Sequence, residues 1–157
     1  MATLTITRGL PGSGKTTWAR QQRGAVRVNR DDLRRMLHGG WRGTDRAERQ
    51  VTLAQRATVD ALLAAGIDVI SDDTNLRGDM VRGLTALATK HGAELVVKDF
   101  TDVPLAECLR RDATRPPGEQ VGPEVITAMW RRYLAGTPAP AASGPVAPAH
   151  PTDNPGP

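Results

Sequence analysis

Cysteine is almost absent from this chain. Cys108 is its one representative among 157 residues, so no internal disulfide can form. It lies among Leu105 and Leu109, a setting for a small buried hydrophobe rather than a reactive thiol. Histidine occurs at His38, His91 and His150 only, and no pair has metal-ligand spacing. No apolar run approaches the length that spans a bilayer. The opening residues MATLTITRGLPGSGK lack a basic leader followed by an apolar core. These absences predict a soluble, cytoplasmic protein. Lysine is scarce too, present at Lys15, Lys90 and Lys98, and the other basic residues are arginine. The net charge of +4 and pI near 10.0 permit a polyanionic partner. A GC-rich genome, which inflates Arg, Ala, Gly and Pro together, accounts for the same composition.

What is present is an alternation of two periodicities. Short β-rich runs occupy 3–8 (TLTITR), 25–29 (AVRVN), 67–71 (IDVIS) and 94–100 (ELVVKDF). Helical patterns lie between them, at 14–22, 31–38, 45–65, 77–91 and 103–113, and a last helix follows Pro123 and closes at Gly136. Strands alternating with helices predict an α/β fold, a parallel sheet of about four strands sandwiched between helices. One domain is expected over 1–136. From Thr137 to Pro157 the chain is rich in Pro, Ala and Gly, cannot bury enough apolar surface to offset its ordering entropy, and is expected to be disordered.

Ligands of such folds sit beyond the carboxyl ends of the strands, which directs attention to the residues after 8, 29 and 71. After the first strand, Gly9-Leu10-Pro11-Gly12-Ser13-Gly14-Lys15-Thr16 fits the P-loop pattern G-x-x-x-x-G-K-[ST], so the α/β fold expected is of the P-loop NTPase type. Glycines allow the backbone to curl so that its N–H groups converge on a nucleotide phosphate, and the following helix adds its positive end. Gly12, Ser13, Gly14, Lys15, Thr16 and Thr17 are the expected nucleotide contacts. Lys15 would reach the β- and γ-phosphates and Thr16 would ligate Mg²⁺. No N-K-x-D guanine signature is present, which points to ATP. The third strand runs into Asp72-Asp73 rather than an apolar run ending in Asp-Glu, which favours a small phosphotransferase over an ordinary ATPase.

After the second strand comes Asn29-Arg30-Asp31-Asp32-Leu33-Arg34. Phosphoryl transfer to an alcohol needs a carboxylate to take the acceptor's proton and cations for the developing charge. Asp31 follows a strand expected to neighbour the P-loop strand, so its carboxylate would face the γ-phosphate. Such a base is worth roughly 10²–10⁴-fold. Arg34, one turn further on, would face the same side and bind a phosphate of the acceptor. The competing reading of Asp31 and Asp32 is helix capping, where acids favour the dipole and the orphan N–H groups.

The motifs GLPGSGKTTWAR, NRDDLR, SDDTNL, TDVPLAECLRR and RRDATR stand in the order of bacteriophage-type 5′-polynucleotide kinases, and the chain resembles that family over residues 3–134. The resemblance implies transfer of the γ-phosphate of ATP to a 5′-hydroxyl end of DNA or RNA. It implies Asp31 as general base, Arg34 on the acceptor's 3′-phosphate, Asp73 supporting that arginine and Thr74 near the acceptor. Arg115 would be the lid arginine on the donor phosphates, with Arg111 beside it. Asp72 and Asp73 compete for the functional place, and either is equally suited to capping the segment after the strand. Arg111 reads as well as a solvated helix end. The stretch RPPGEQVGP departs from the family's shorter lid and leaves acceptor contacts there, as by Val121, open. No D-x-D-G-T phosphatase motif is present. Trp41 is expected to anchor a loop on the core rather than stack on a base, and Trp18 to pack. The rival functions are a small-metabolite or zeta-toxin-like sugar-nucleotide kinase, and a non-catalytic nucleotide-binding module.

Overall fold

A computed structural model describes residues 1–41 and 43–136. The expected disordered tail, 137–157, lies outside them. The elements run β1 (Thr3–Arg8), α1 (Lys15–Gln21), β2 (Val26–Val28), α2 (Arg30–His38), α3 (Asp45–Ala64), β3 (Val69–Ser71), α4 (Gly78–Lys90), β4 (Glu94–Asp99), α5 (Leu105–Ala113), a 3₁₀ turn over Pro117–Glu119, and α6 (Pro123–Tyr133). The four strands are parallel in the order β2-β3-β1-β4. This is the expected α/β architecture with one correction: β2 does not neighbour β1, because β3 lies between them. The chain places in the centre the run that tolerates burial on both sides. Val69, Ile70 and Ser71 are all buried, whereas β2 carries Arg27 and a Val26 that is 41% exposed, as suits an edge.

Leu4, Ile6, Val28 and Val69 turn to one face of the sheet, where Val59 and Leu63 of α3 and Leu84 and Ala88 of α4 cover them. Each of the Leu, Ile and Val side chains contributes about 1.5–3 kcal/mol by leaving water. A second cluster of Leu10, Leu76, Cys108 and Ile126 joins the P-loop and the segment after β3 to α5 and α6. Cys108 is wholly buried, as its neighbours suggested, and burial pushes its thiol pKa up. On the α1 side Trp18 packs edge-to-face on Phe100 with ring centroids 6.1 Å apart. The β4 edge is the least covered part of the sheet, with Leu95, Val96 and Val97 exposed.

Several helix ends follow from single residues. Asn29 caps α2, its Oδ1 accepting from Asp32 N at 3.0 Å, so the side-chain cap is the asparagine rather than either aspartate. Thr44 accepts from Ala47 N and starts α3. Along α3 the buried positions fall every four residues, Ala47, Val51, Gln55, Val59 and Leu63. Gln55 is the polar interruption of that stripe, and it marks where α3 passes the end of β3. No described helix is long and apolar enough to cross a membrane.

Candidate active site

At the carboxyl ends of β1, β2 and β3 lies an open cavity of about 240 Å³. Its first wall is the turn between β1 and α1. Gly12 has φ +82, and a Cβ there would stand 2.4 Å from the carbonyl oxygen of Cys108, so the loop presses directly on α5. Gly14, at φ 98, is the N-cap of α1. The curl brings Gly12, Gly14, Lys15, Thr16 and Thr17 to the cavity, while Ser13 is buried beneath them. Lys15 folds back over the loop and donates from Nζ to Leu10 O at 2.6 Å and Ser13 Oγ at 3.3 Å. Burial lowers its pKa from 10.5 to about 8, with the Asp72 carboxylate opposing and the Arg115 guanidinium assisting the shift.

The second wall is the start of α2. Asp31 and Arg34 both line the cavity, the expected juxtaposition, although β3 separates their strand from β1. Arg34 is 7% exposed and is held from two sides. Its NH1 pairs with Asp31 across one turn, and its Nε and NH2 donate to Glu48 of α3 at 2.7 and 2.9 Å. Glu48 also receives Arg30 NH2 at 3.2 Å, and the Arg34 hydrogen bonds lower its pKa from 4.5 to about 2. The arginine's support therefore comes from Glu48 and not from Asp73. Glu48 supports the site and was not singled out in the sequence, where 45–65 shows only a helical pattern and packing alone brings α3 to Arg34.

The third wall, Asp72-Asp73-Thr74, separates the two competing aspartates. Asp73 lines the cavity, but both of its oxygens are engaged by the fold. Its Oδ1 accepts from Arg30 N at 2.9 Å, tying β3 to the start of α2, and its Oδ2 accepts from Gln55 Nε2 at 2.6 Å. Burial raises its pKa from 3.8 to about 6. Asp72 is 1% exposed and lines the cavity. Its Oδ2 accepts from Arg27 Nε at 2.6 Å, but its Oδ1 is buried with no hydrogen-bond partner. Arg27 also bridges to Asp32 at 2.6 Å, so an edge-strand cation keeps the buried carboxylate in place. Such an unmatched oxygen in a polar cavity is a position for a ligand. Asn75, at φ 45, shapes this wall by donating from Nδ2 to Thr7 O at 2.8 Å and Ser71 O at 3.2 Å.

The segment between α5 and α6 closes the fourth side, with Arg115 and Val121 on the cavity beside Met129. Arg111 does not line it. Its NH1 lies 3.4 Å from Gly12 O and its Nε bonds Glu107 at 2.6 Å, so it sits behind the P-loop. Trp41 is 60% exposed and lies across Gly43, which corrects the expectation that it anchors a loop on the core. With glycines before and after it, its loop has nothing apolar to draw the ring inward.

Fold and cavity define a P-loop kinase-type domain. The chain belongs to the family described as AAA domain, whose model matches residues 4–140. A relative from Autographa californica nuclear polyhedrosis virus, which bears the name of a bifunctional polynucleotide kinase/RNA ligase, is 27% identical over 144 residues, covering 83% of this chain and 21% of the relative. The structure of a Pnkp1/Rnl/Hen1 RNA repair complex contains a chain that is 29% identical with a TM-score of 0.68, covering 88% of this chain and 47% of that one. Chaetomium thermophilum Kti12 in complex with ADP-AlF3 shares the fold at 22% identity and a TM-score of 0.63, covering 83% and 79%. The chain spans less than half the length of the first two of these proteins.

Proposed function

We propose that this domain transfers the γ-phosphate of ATP to the 5′-hydroxyl of a DNA or RNA end. The observation that carries the reading is the meeting, in one cavity, of the P-loop lysine with a carboxylate–arginine pair on the opposite wall. A donor phosphate held by the P-loop amides, Lys15 and Arg115 would present its γ-phosphorus toward Asp31. Asp31 would accept the proton of the attacking 5′-hydroxyl as the new P–O bond forms in line with the departing ADP oxygen. Arg111, touching Gly12 from behind, would support the loop that holds the donor. Thr16 and the unmatched Asp72 Oδ1 fit a magnesium ion, which takes oxygen ligands and keeps most of its waters or shares phosphate oxygens. Bound there, magnesium would neutralise charge on the β- and γ-phosphates.

Arg34 explains why the acceptor would be a nucleotide rather than a simple alcohol. A guanidinium has five N–H donors. Two of Arg34's are spent on Glu48 and one on Asp31, and the remaining two suit a phosphate on the acceptor's 3′ side, with Thr74 alongside. The polynucleotide kinase named among its relatives supports this acceptor class. The test compares a nucleoside with its 3′-phosphate as acceptor, for wild type and Arg34→Ala. A 3′-phosphate should lower KM by about 10–100-fold in the wild type and give no advantage to the variant. Equal use of both acceptors by the wild type would overturn the assignment and favour a small-molecule kinase.

A further inference from the structure

Asp112 is a buried acid in an unexpected place. It lies in the last turn of α5, the negative end of the helix, where a carboxylate is unfavourable, and it is only 3% exposed. Its surroundings reverse that disadvantage. Both oxygens accept from Val121 N at 3.1 Å, and Oδ2 also accepts from Gly122 N at 2.9 Å. Those amides lead into α6, whose positive end they begin. The carboxylate thus joins the two ends of the segment 113–122 and shortens its open span. Gln120 completes the closure from within, donating to Ala113 O at 3.2 Å and Arg115 O at 2.8 Å.

Among the described residues the charged partner of this acid is Arg115, whose NH1 lies 3.3 Å from Asp112 Oδ1. Arg115 lines the cavity, and its charge is felt at Lys15 across it. A single NH1 contact leaves the Nε and NH2 sides of the guanidinium available. We propose that Asp112 is a positioning residue for phosphoryl transfer: it fixes the base of the 113–122 segment and holds Arg115 by one N–H, so that its other donors meet the donor phosphates opposite Lys15. The inference rests on the reading of the cavity as a kinase site, but not on which acceptor that kinase uses.

A purely structural staple between α5 and α6 would also explain the backbone hydrogen bonds, so the test must isolate the arm that runs through Arg115. Affinity for a non-hydrolysable ATP analogue is measured by calorimetry for wild type, Asp112→Asn, Arg115→Ala and the double variant, with the melting temperature of each. Asp112→Asn should weaken binding by about tenfold, the loss of one charge-assisted hydrogen bond. Arg115→Ala should weaken it at least as much. The double variant should bind no worse than Arg115→Ala, whereas any loss of melting temperature from Asp112→Asn should persist in both backgrounds. Affinity losses that multiply in the double variant, or an Asp112→Asn protein binding within twofold of wild type, would overturn the proposal. If Asp112→Asn does not fold, Asp112→Glu, which keeps the charge and shifts the contact, enters the same cycle with the same criteria. Failure of the wild type to bind the analogue at all would contradict the kinase reading itself.

Discussion

Lys15 gives the most quantitative consequence of the cavity's electrostatics. In the unliganded loop its ammonium is buried against carbonyl and hydroxyl oxygens and its pKa is lowered to about 8. A nucleotide's phosphates supply the anion that burial lacks, so the bound state should restore the proton. At pH 8 about half of the free protein carries neutral Lys15, and binding should take up about 0.5 proton per site. At pH 6.5 nearly every Lys15 is already charged, and its contribution should fall to about 0.03 proton. Above pH 8 the affinity should fall, approaching tenfold for each further pH unit. The assay is calorimetric titration of an ATP analogue at pH 8 in two buffers of different ionisation heat, where the difference in apparent enthalpy reports the protons taken up. Lys15→Met should bind more weakly and show no uptake. Equal enthalpies in the two buffers, or an uptake unchanged in Lys15→Met, would refute the reasoning.

Two further substitutions test the walls of the site. Asp73 has its pKa raised to about 6 from 3.8, so its contribution to stability is complete below about 3.8 and is lost as the pH rises through 6. The gap corresponds to an upper bound of about 3 kcal/mol at pH 7. Asp73→Asn keeps the acceptor for Arg30 N and, with Gln55 turned over to use its unsatisfied Oε1, keeps that contact too. Its unfolding free energy relative to wild type should therefore rise between pH 4 and 7, and a difference that stays flat in urea melts at those pH values would count against the buried-acid account. Gly12→Ala would drive a methyl into the Cys108 carbonyl at a left-handed φ, costing about 2 kcal/mol or more. Thermal melts and analogue binding should both suffer, and a variant with wild-type values for both would show that the loop does not press on α5.

Much of the fold was legible because its signals are local. The P-loop pattern, the β-rich runs and the helical pattern over 45–65 each depend on neighbours within a few residues, and each led to the right kind of element. Strand order is not local. Whether β2 or β3 lies beside β1 depends on which strand tolerates burial on both sides, and the contrast between Val-Arg-Val and Val-Ile-Ser was the available signal. The same limit applies to the arginine on the acceptor wall. Arg34 was identifiable one turn from Asp31, but its clamp Glu48 comes from another helix 14 residues away, and only packing brings them together. Asp72 and Asp73 are adjacent in sequence and both line the cavity, yet one turns its carboxylate to Arg27 and the other to Arg30 N and Gln55. Gln55, polar in the middle of a buried stripe, was the one sequence hint of that division.

The most direct test of the central claim is transfer from γ-labelled ATP with Mg²⁺ to a short 5′-hydroxyl oligonucleotide. The controls are the same strand already 5′-phosphorylated and the Asp31→Ala protein, whose analogue affinity is checked in parallel. The account predicts label on the 5′-hydroxyl strand alone, lost by about 10²-fold or more in Asp31→Ala while the analogue still binds. Tight nucleotide binding by the wild type with no label on the strand would contradict it.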